Sequence, residues 1–112
     1  MAYRVVILAE ALEEMRRFFP LRERQRITRK IRHIADNVPE SLKLRGVTYL
    51  KGAESALERI GGDAAYEVRI GYGYRAAFVL YNSEQLIRVY LAASHDYANE
   101  LFLQALSRFE SD

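Results

Sequence analysis

Between residues 56 and 93 the chain alternates apolar runs at 56–60, 65–70, 74–81 and 86–93 with the turn formers Gly61-Gly62-Asp63, Gly71-Tyr72-Gly73 and Asn82-Ser83-Glu84. Runs of this length suit strands, and glycine reaches the positive φ that tight hairpins need, so the stretch predicts an antiparallel meander. The Gly-x-Gly at 71–73 belongs to a hairpin turn with no helix after it, which excludes a dinucleotide-binding fingerprint. Neither a Gly-x-Ser-x-Gly elbow nor a phosphate-cradling Walker loop occurs in the sequence.

The residues before the meander follow a different period. Tyr3-Arg4-Val5-Val6-Ile7-Leu8 is a strand-length apolar run. Leu12, Met15 and Phe19 then form a helical stripe that ends at Pro20, and Ile27, Ile31, Ile34, Ala35 and Val38 form a second that ends at Val38-Pro39. The two predict a helical hairpin with its arginines outward. Residues 39–57 mix Lys43, Arg45 and Lys51 with Gly46 and Gly52 without a period, and read as a basic connecting arm. Ser94 or Asp96 can cap a last helix carrying Ala98, Leu101, Phe102, Ala105, Leu106 and Phe109 on one face. The expected order is β-α-α-(β)-β-β-β-α, an α+β fold in one domain spanning 1–112.

Composition narrows the class. A chain of 112 residues, 50% hydrophobic and 29% charged, can bury one core and fold as a soluble globule. Without cysteine it has no disulfide and no thiolate metal site. The N-terminal apolar run is short and followed by glutamates, so neither a signal peptide nor a stop-transfer segment is read, and the expected location is cytoplasmic with no membrane partner. Net charge is only +2, yet residues 9–32 hold eight basic against four acidic side chains, and residues 95–112 one against four. A basic front suits an RNA backbone or an acidic protein partner; the plainer reading is a solvated helix face.

Period-two alternation places Glu67 and Arg69 on one strand face, with Arg75, and Arg88 as a further member, on the same side of neighbouring strands, away from the helical hairpin. Arginines on a rigid sheet can grip a phosphate bidentately and stay charged; alone, each would simply solvate an outer face. His95-Asp96-Tyr97 brings together an imidazole, a carboxylate and a phenol, suited to proton transfer near neutrality or, more plainly, to helix capping. His33 reads as a surface residue, and the two histidines are too far apart in sequence to argue a metal motif.

Four stretches together resemble the RelE/ParE toxin superfamily, on its RelE side. They are the opening Met1-Ala2-Tyr3 strand, Lys43-Leu44-Arg45-Gly46, Tyr66-Glu67-Val68-Arg69-Ile70 followed by Gly73-Tyr74-Arg75, and Ser94-His95-Asp96-Tyr97. The resemblance implies a RelE-like domain: an antiparallel sheet with the helical hairpin on one face and a C-terminal helix. Relative to the RelE pattern there is an insertion at about 47–62, expected to add a hairpin at the sheet edge. The implied activity is that of a ribosome-dependent mRNA endoribonuclease, the toxin of a type II toxin-antitoxin system, needing no cofactor or metal and held inactive by a cognate antitoxin. Ribosome and mRNA would be its other partners. Arg75 matches the family's phosphate-binding arginine, and Arg69 the second of two basic strand positions. Glu67 stands where the first basic residue would be, either as a general base or as a sign of weakened catalysis. His95 falls at a late position held by arginine or histidine, and Tyr97 resembles the terminal aromatic. Arg26, Arg29, Lys30, Lys43, Arg45 and Lys51 are the expected RNA-binding set. The alternatives are a ParE-type inhibitor of DNA gyrase without nuclease activity, and a degenerate member that only binds RNA or a partner.

Overall fold

The structure is a computed structural model and describes residues 2–71, 73–94 and 99–111. Among these residues five strands form one sheet in the order β1-β5-β4-β3-β2, with β1 Arg4–Ile7, β2 Val47–Tyr49, β3 Ala64–Ile70, β4 Tyr74–Tyr81 and β5 Leu86–Ala93. The meander β3-β4-β5 is antiparallel, and β1 lies parallel to β5 at one edge. The expected α+β architecture is therefore present. Helices α1 (Ala9–Phe18) and α2 (Leu21–Asp36) form the predicted hairpin on one sheet face. Met15, Phe19, Ile27, Ile31 and Ile34 of the hairpin pack there on Val68, Phe78, Leu80, Ile87 and Val89. Each of these strand residues is set by alternation, and burial of such side chains contributes roughly 1.5–3 kcal/mol apiece.

The opposite face also carries a core, which the sequence reading did not expect. Leu50, Leu57, Ala77, Val79, Tyr81, Tyr90, Phe102, Leu106 and Phe109 are all buried together. The C-terminal segment that covers them is α4 (Asn99–Gln104) followed by a 3₁₀ stretch at Ala105–Ser111, in place of one continuous helix. A register shift between Ala77 and Phe78 of β4 explains how β5 meets this segment. Ala77 faces Leu91 and Phe78 faces Val89, so Tyr90 is the extra residue of a bulge. Two consecutive large side chains, Tyr90 and Leu91, thereby turn to the same side.

The run at 56–60 is not a strand. Glu54–Ile60 is a helix, α3, with Glu54 in its first turn and Arg59 in its last, both matched to the helix dipole. Gly61 takes φ +72°; its N–H bonds the Glu58 carbonyl, and the N–H of Gly62 bonds that of Leu57 at 2.9 Å. This is the Schellman pattern, so the glycine pair read as a hairpin turn closes a helix instead. The missing strand lies within the arm. Thr48 of β2 faces Glu67 and Tyr49 faces Tyr66, adding an edge strand whose link to β3 runs through α3. No helix among the described residues is long and apolar enough to cross a membrane.

Candidate functional site

Three of the expected site residues meet at the turn end of the β3-β4 hairpin. The register places Arg69 directly opposite Arg75, and Glu67 opposite Ala77. Two guanidinium groups facing each other across a strand pair repel. Glu67, one pleat further along, relieves this: Arg75 Nη1 donates to Glu67 Oε1 at 2.8 Å, with the two side chains 16% and 15% exposed. Arg69 remains exposed. The arrangement is a short charged row with an excess of positive charge. It suits a group that is itself anionic and can exchange places with the Glu67 carboxylate on Arg75.

Arg88 does not join this row. Its guanidinium stacks 4.6 Å from the Phe109 ring centroid and 5.9 Å from that of Tyr81, because the C-terminal segment folds over the sheet face expected to be open. Tyr90 is one of the polar groups of that covered region. Its hydroxyl donates to the Phe102 carbonyl at 2.9 Å, and its phenol is pushed well above the ordinary tyrosine range, by burial first and by the charge of Glu67 second. The candidate row and the seat of α4 are thus electrostatically adjacent. His95 and Tyr97, with Asp96 between them, lie outside the described residues.

A clasp that the sequence reading missed holds the C-terminal segment down. Arg108 donates to both carboxylate oxygens of Glu14 at 2.8 Å and to the Tyr90 carbonyl at 2.8 Å. Glu14 Oε1 also accepts the Ala92 N–H at 3.0 Å. Hydrogen bonding to Glu14 is the main reason the Arg108 guanidinium holds its proton more tightly than usual. The available signal was Arg108 itself, the lone cation in an acidic tail.

The expected RNA-binding set divides. Lys30 is half-buried on α2; its ammonium donates to the Arg45 carbonyl at 3.1 Å and the Arg69 carbonyl at 3.0 Å. Its pKa is lowered by burial, then by the charges of Arg69 and Arg26. Arg26 is exposed and ion-paired with Glu23 at 3.0 Å, on the side of α2 that approaches Gly71. Arg26, Lys30 and Arg45 therefore gather around the Arg69 end of the row. Arg29 is exposed and lines a shallow cleft with Arg24, Gln25 and Thr28. Lys43 is exposed in a 3₁₀ turn at Glu40–Lys43, and Lys51 is exposed in the loop where Gly52 approaches Leu103. Among the described residues, no group of three or more His, Asp or Glu side chains is placed to hold a metal ion.

No family model matches the sequence, and no curated protein does. Solved structures do match in fold. The archaeal RelE in a RelE-RelB complex from Pyrococcus horikoshii OT3 is 21% identical at a TM-score of 0.65, over 88% of this chain and 100% of that one. A double arginine-to-alanine mutant of the E. coli toxin RelE in the free state is 21% identical at a TM-score of 0.69, over 96% and 98%. The isolated E. coli RelE toxin is 19% identical at a TM-score of 0.60, over 96% and 98%. The chain has the fold of the RelE toxins.

Proposed function

We propose that this chain is the toxin of a toxin-antitoxin pair and an endoribonuclease that cuts mRNA on the ribosome. The observation that carries the reading is the row formed by Glu67, Arg75 and Arg69 on paired strands, with the 2.8 Å contact holding Arg75 in place. The RelE fold supports it, and the solved RelE-RelB complex supports a cognate antitoxin as partner.

The chemistry follows from what the row offers. An incoming RNA phosphate displaces Glu67 from Arg75 and is held by Arg75 and Arg69, whose fixed charges favour the extra negative charge of the phosphoryl transition state. The freed Glu67 carboxylate accepts the proton of the adjacent 2′-hydroxyl. The 2′ oxygen then bonds to phosphorus while the bond from phosphorus to the 5′ oxygen breaks. His95 supplies the proton for that leaving oxygen, and Tyr97 stacks on a base. The products are a 2′,3′-cyclic phosphate and a free 5′-hydroxyl. Arg26, Arg29, Lys43, Arg45 and Lys51 hold ribosomal RNA through its phosphates, giving binding that weakens steeply with salt.

The test is to present antitoxin-free protein with programmed ribosomes and map the message ends. Cleaved message with cyclic phosphate ends is expected. Full-length message overturns the reading, and broken DNA in its place, in cells expressing the protein, identifies a gyrase poison.

A further inference from the structure

Lys30 is surrounded in a way that a phosphate-contacting lysine does not need to be. Its ammonium bridges two backbone carbonyls that are far apart in sequence, those of Arg45 and Arg69. The same junction is closed a second time, because the Arg69 N–H donates to the Gly46 carbonyl at 2.8 Å. Gly46 has φ +85°, and a Cβ there would stand 2.8 Å from Lys30 Nζ and 3.0 Å from the Arg69 carbonyl oxygen. The backbone is thus shaped around the ammonium. Two of the three N–H bonds an ammonium can direct are spent on carbonyls, in a place where neighbouring Arg26 and Arg69 both oppose its charge. A cation tolerated under those conditions is holding something in place.

We propose that Lys30 is a positioning residue: it ties the loop at Arg45 and Gly46 to the end of β3, and so sets Arg69 opposite Arg75 without touching RNA itself. The cleavage consequence rests on the proposed function; the tie does not. Arg69 lies exposed beside the turn of the β3-β4 hairpin, where a guanidinium on a long stem has many rotamers. Fixing its backbone from two sides limits where the charge can lie, and small misplacement of a catalytic group is costly in rate.

Two variants separate positioning from contact. Lys30→Met keeps the stem and removes the ammonium. Gly46→Ala keeps every charge but pushes a methyl into the same junction. Both are checked for folding by melting and then assayed on programmed ribosomes across a salt series. The expected result for both is a fall in kcat of ~10–100-fold, with KM and its salt dependence close to those of the parent. If Lys30 contacts phosphate directly, Lys30→Met instead raises KM and lowers the logarithmic salt slope by ~0.7–0.9, while Gly46→Ala leaves kcat near the parental value. That pattern overturns the proposal, as do parental kinetics in both variants.

Amide hydrogen exchange provides a readout that does not need cleavage. Lys30→Met is expected to speed exchange at the Arg69 amide by at least ~10-fold while amides of the core strands stay protected. Unchanged Arg69 protection overturns the tie even if the chain cuts no RNA. Parent protein that fails to cleave, with faster Arg69 exchange in the variant, refutes only the proposed function.

Discussion

The Glu67–Arg75 pair makes the obvious test of the clamp misleading, and the structure says by how much. At 2.8 Å and an effective dielectric near 20, the attraction is ~6 kcal/mol before desolvation is subtracted. Breaking a fully buried pair by deleting one partner costs about 3–5 kcal/mol; with both side chains about one-sixth exposed, Arg75→Ala should cost ~2–4 kcal/mol by stranding Glu67. For 112 residues the unfolding entropy makes 1 kcal/mol worth about 4 °C, so the variant should melt ~8–16 °C below the parent. Its inactivity would then be ambiguous. Arg75→Ala combined with Glu67→Ala removes both charges, and should recover at least ~1.5 kcal/mol relative to Arg75→Ala alone. Calorimetric melting of parent, both single variants and the double closes the cycle, and mRNA end mapping on the double reads the joint loss of clamp and base in a chain free of the stranded carboxylate. Cleavage should remain at least ~10²–10³-fold down in the double despite its stability. An Arg75→Ala variant that melts within about 2 °C of the parent would refute the stability reasoning. A stable double variant that cuts at the parental rate would remove both Arg75 and Glu67 from the mechanism.

Arg108→Met leaves Glu14 with only the Ala92 N–H among the bonds described above, and should lower stability by ~1.5–3 kcal/mol with faster exchange at Ala92. Unchanged melting would mean that the clasp contributes nothing. Tyr90 keeps its proton more tightly folded than unfolded, so its contribution is fully present below pH 10 and is lost as pH rises above that value. Tyr90→Phe should therefore show a shallower alkaline decline in urea midpoint over about pH 9–11, at the cost of ~1 kcal/mol for the lost bond to Phe102; parallel declines would sink this. Gly62→Ala sets a methyl 2.6 Å from Val79 Cγ1 and 3.0 Å from Leu57 Cδ2, and should cost ~1–3 kcal/mol by overpacking. Combining it with Val79→Ala should return part of that loss, and a simple sum of the two losses would count against the clash.

What the sequence makes legible here depends on whether one local rule or two competing ones apply. β4 and β5 are read to the residue because apolar alternation and turn chemistry agree on them. Residues 54–60 divide those signals. Gly61-Gly62 serves equally as a hairpin turn or a helix stop, and the five residues of the apolar run at 56–60 are too few to tell period two from 3.6. The deciding features were Glu54 and Arg59 at opposite ends of the run and the scarcity of β-branched residues within it. β2 has only three residues and no period of its own; its existence comes from pairing with β3, a tertiary effect. The same division governs the site. Alternation alone puts Glu67, Arg69, Arg75 and Arg88 on one face, since parity is a local property of each strand. Which part of that face stays open is decided by the bulge that turns Tyr90 and Leu91 together toward α4, and by the Glu14–Arg108 clasp that joins residues at opposite ends of the chain. Arg88 is half-buried because it sits beneath Phe109, whereas Arg69 stays exposed because it sits at the turn end of the hairpin beyond the packed aromatics. The charged row is thus what remains of a longer arginine face once the C-terminal segment has taken its share, and loosening the Arg108 clasp should raise the exposure of Arg88 before it disturbs the pair at Glu67 and Arg75.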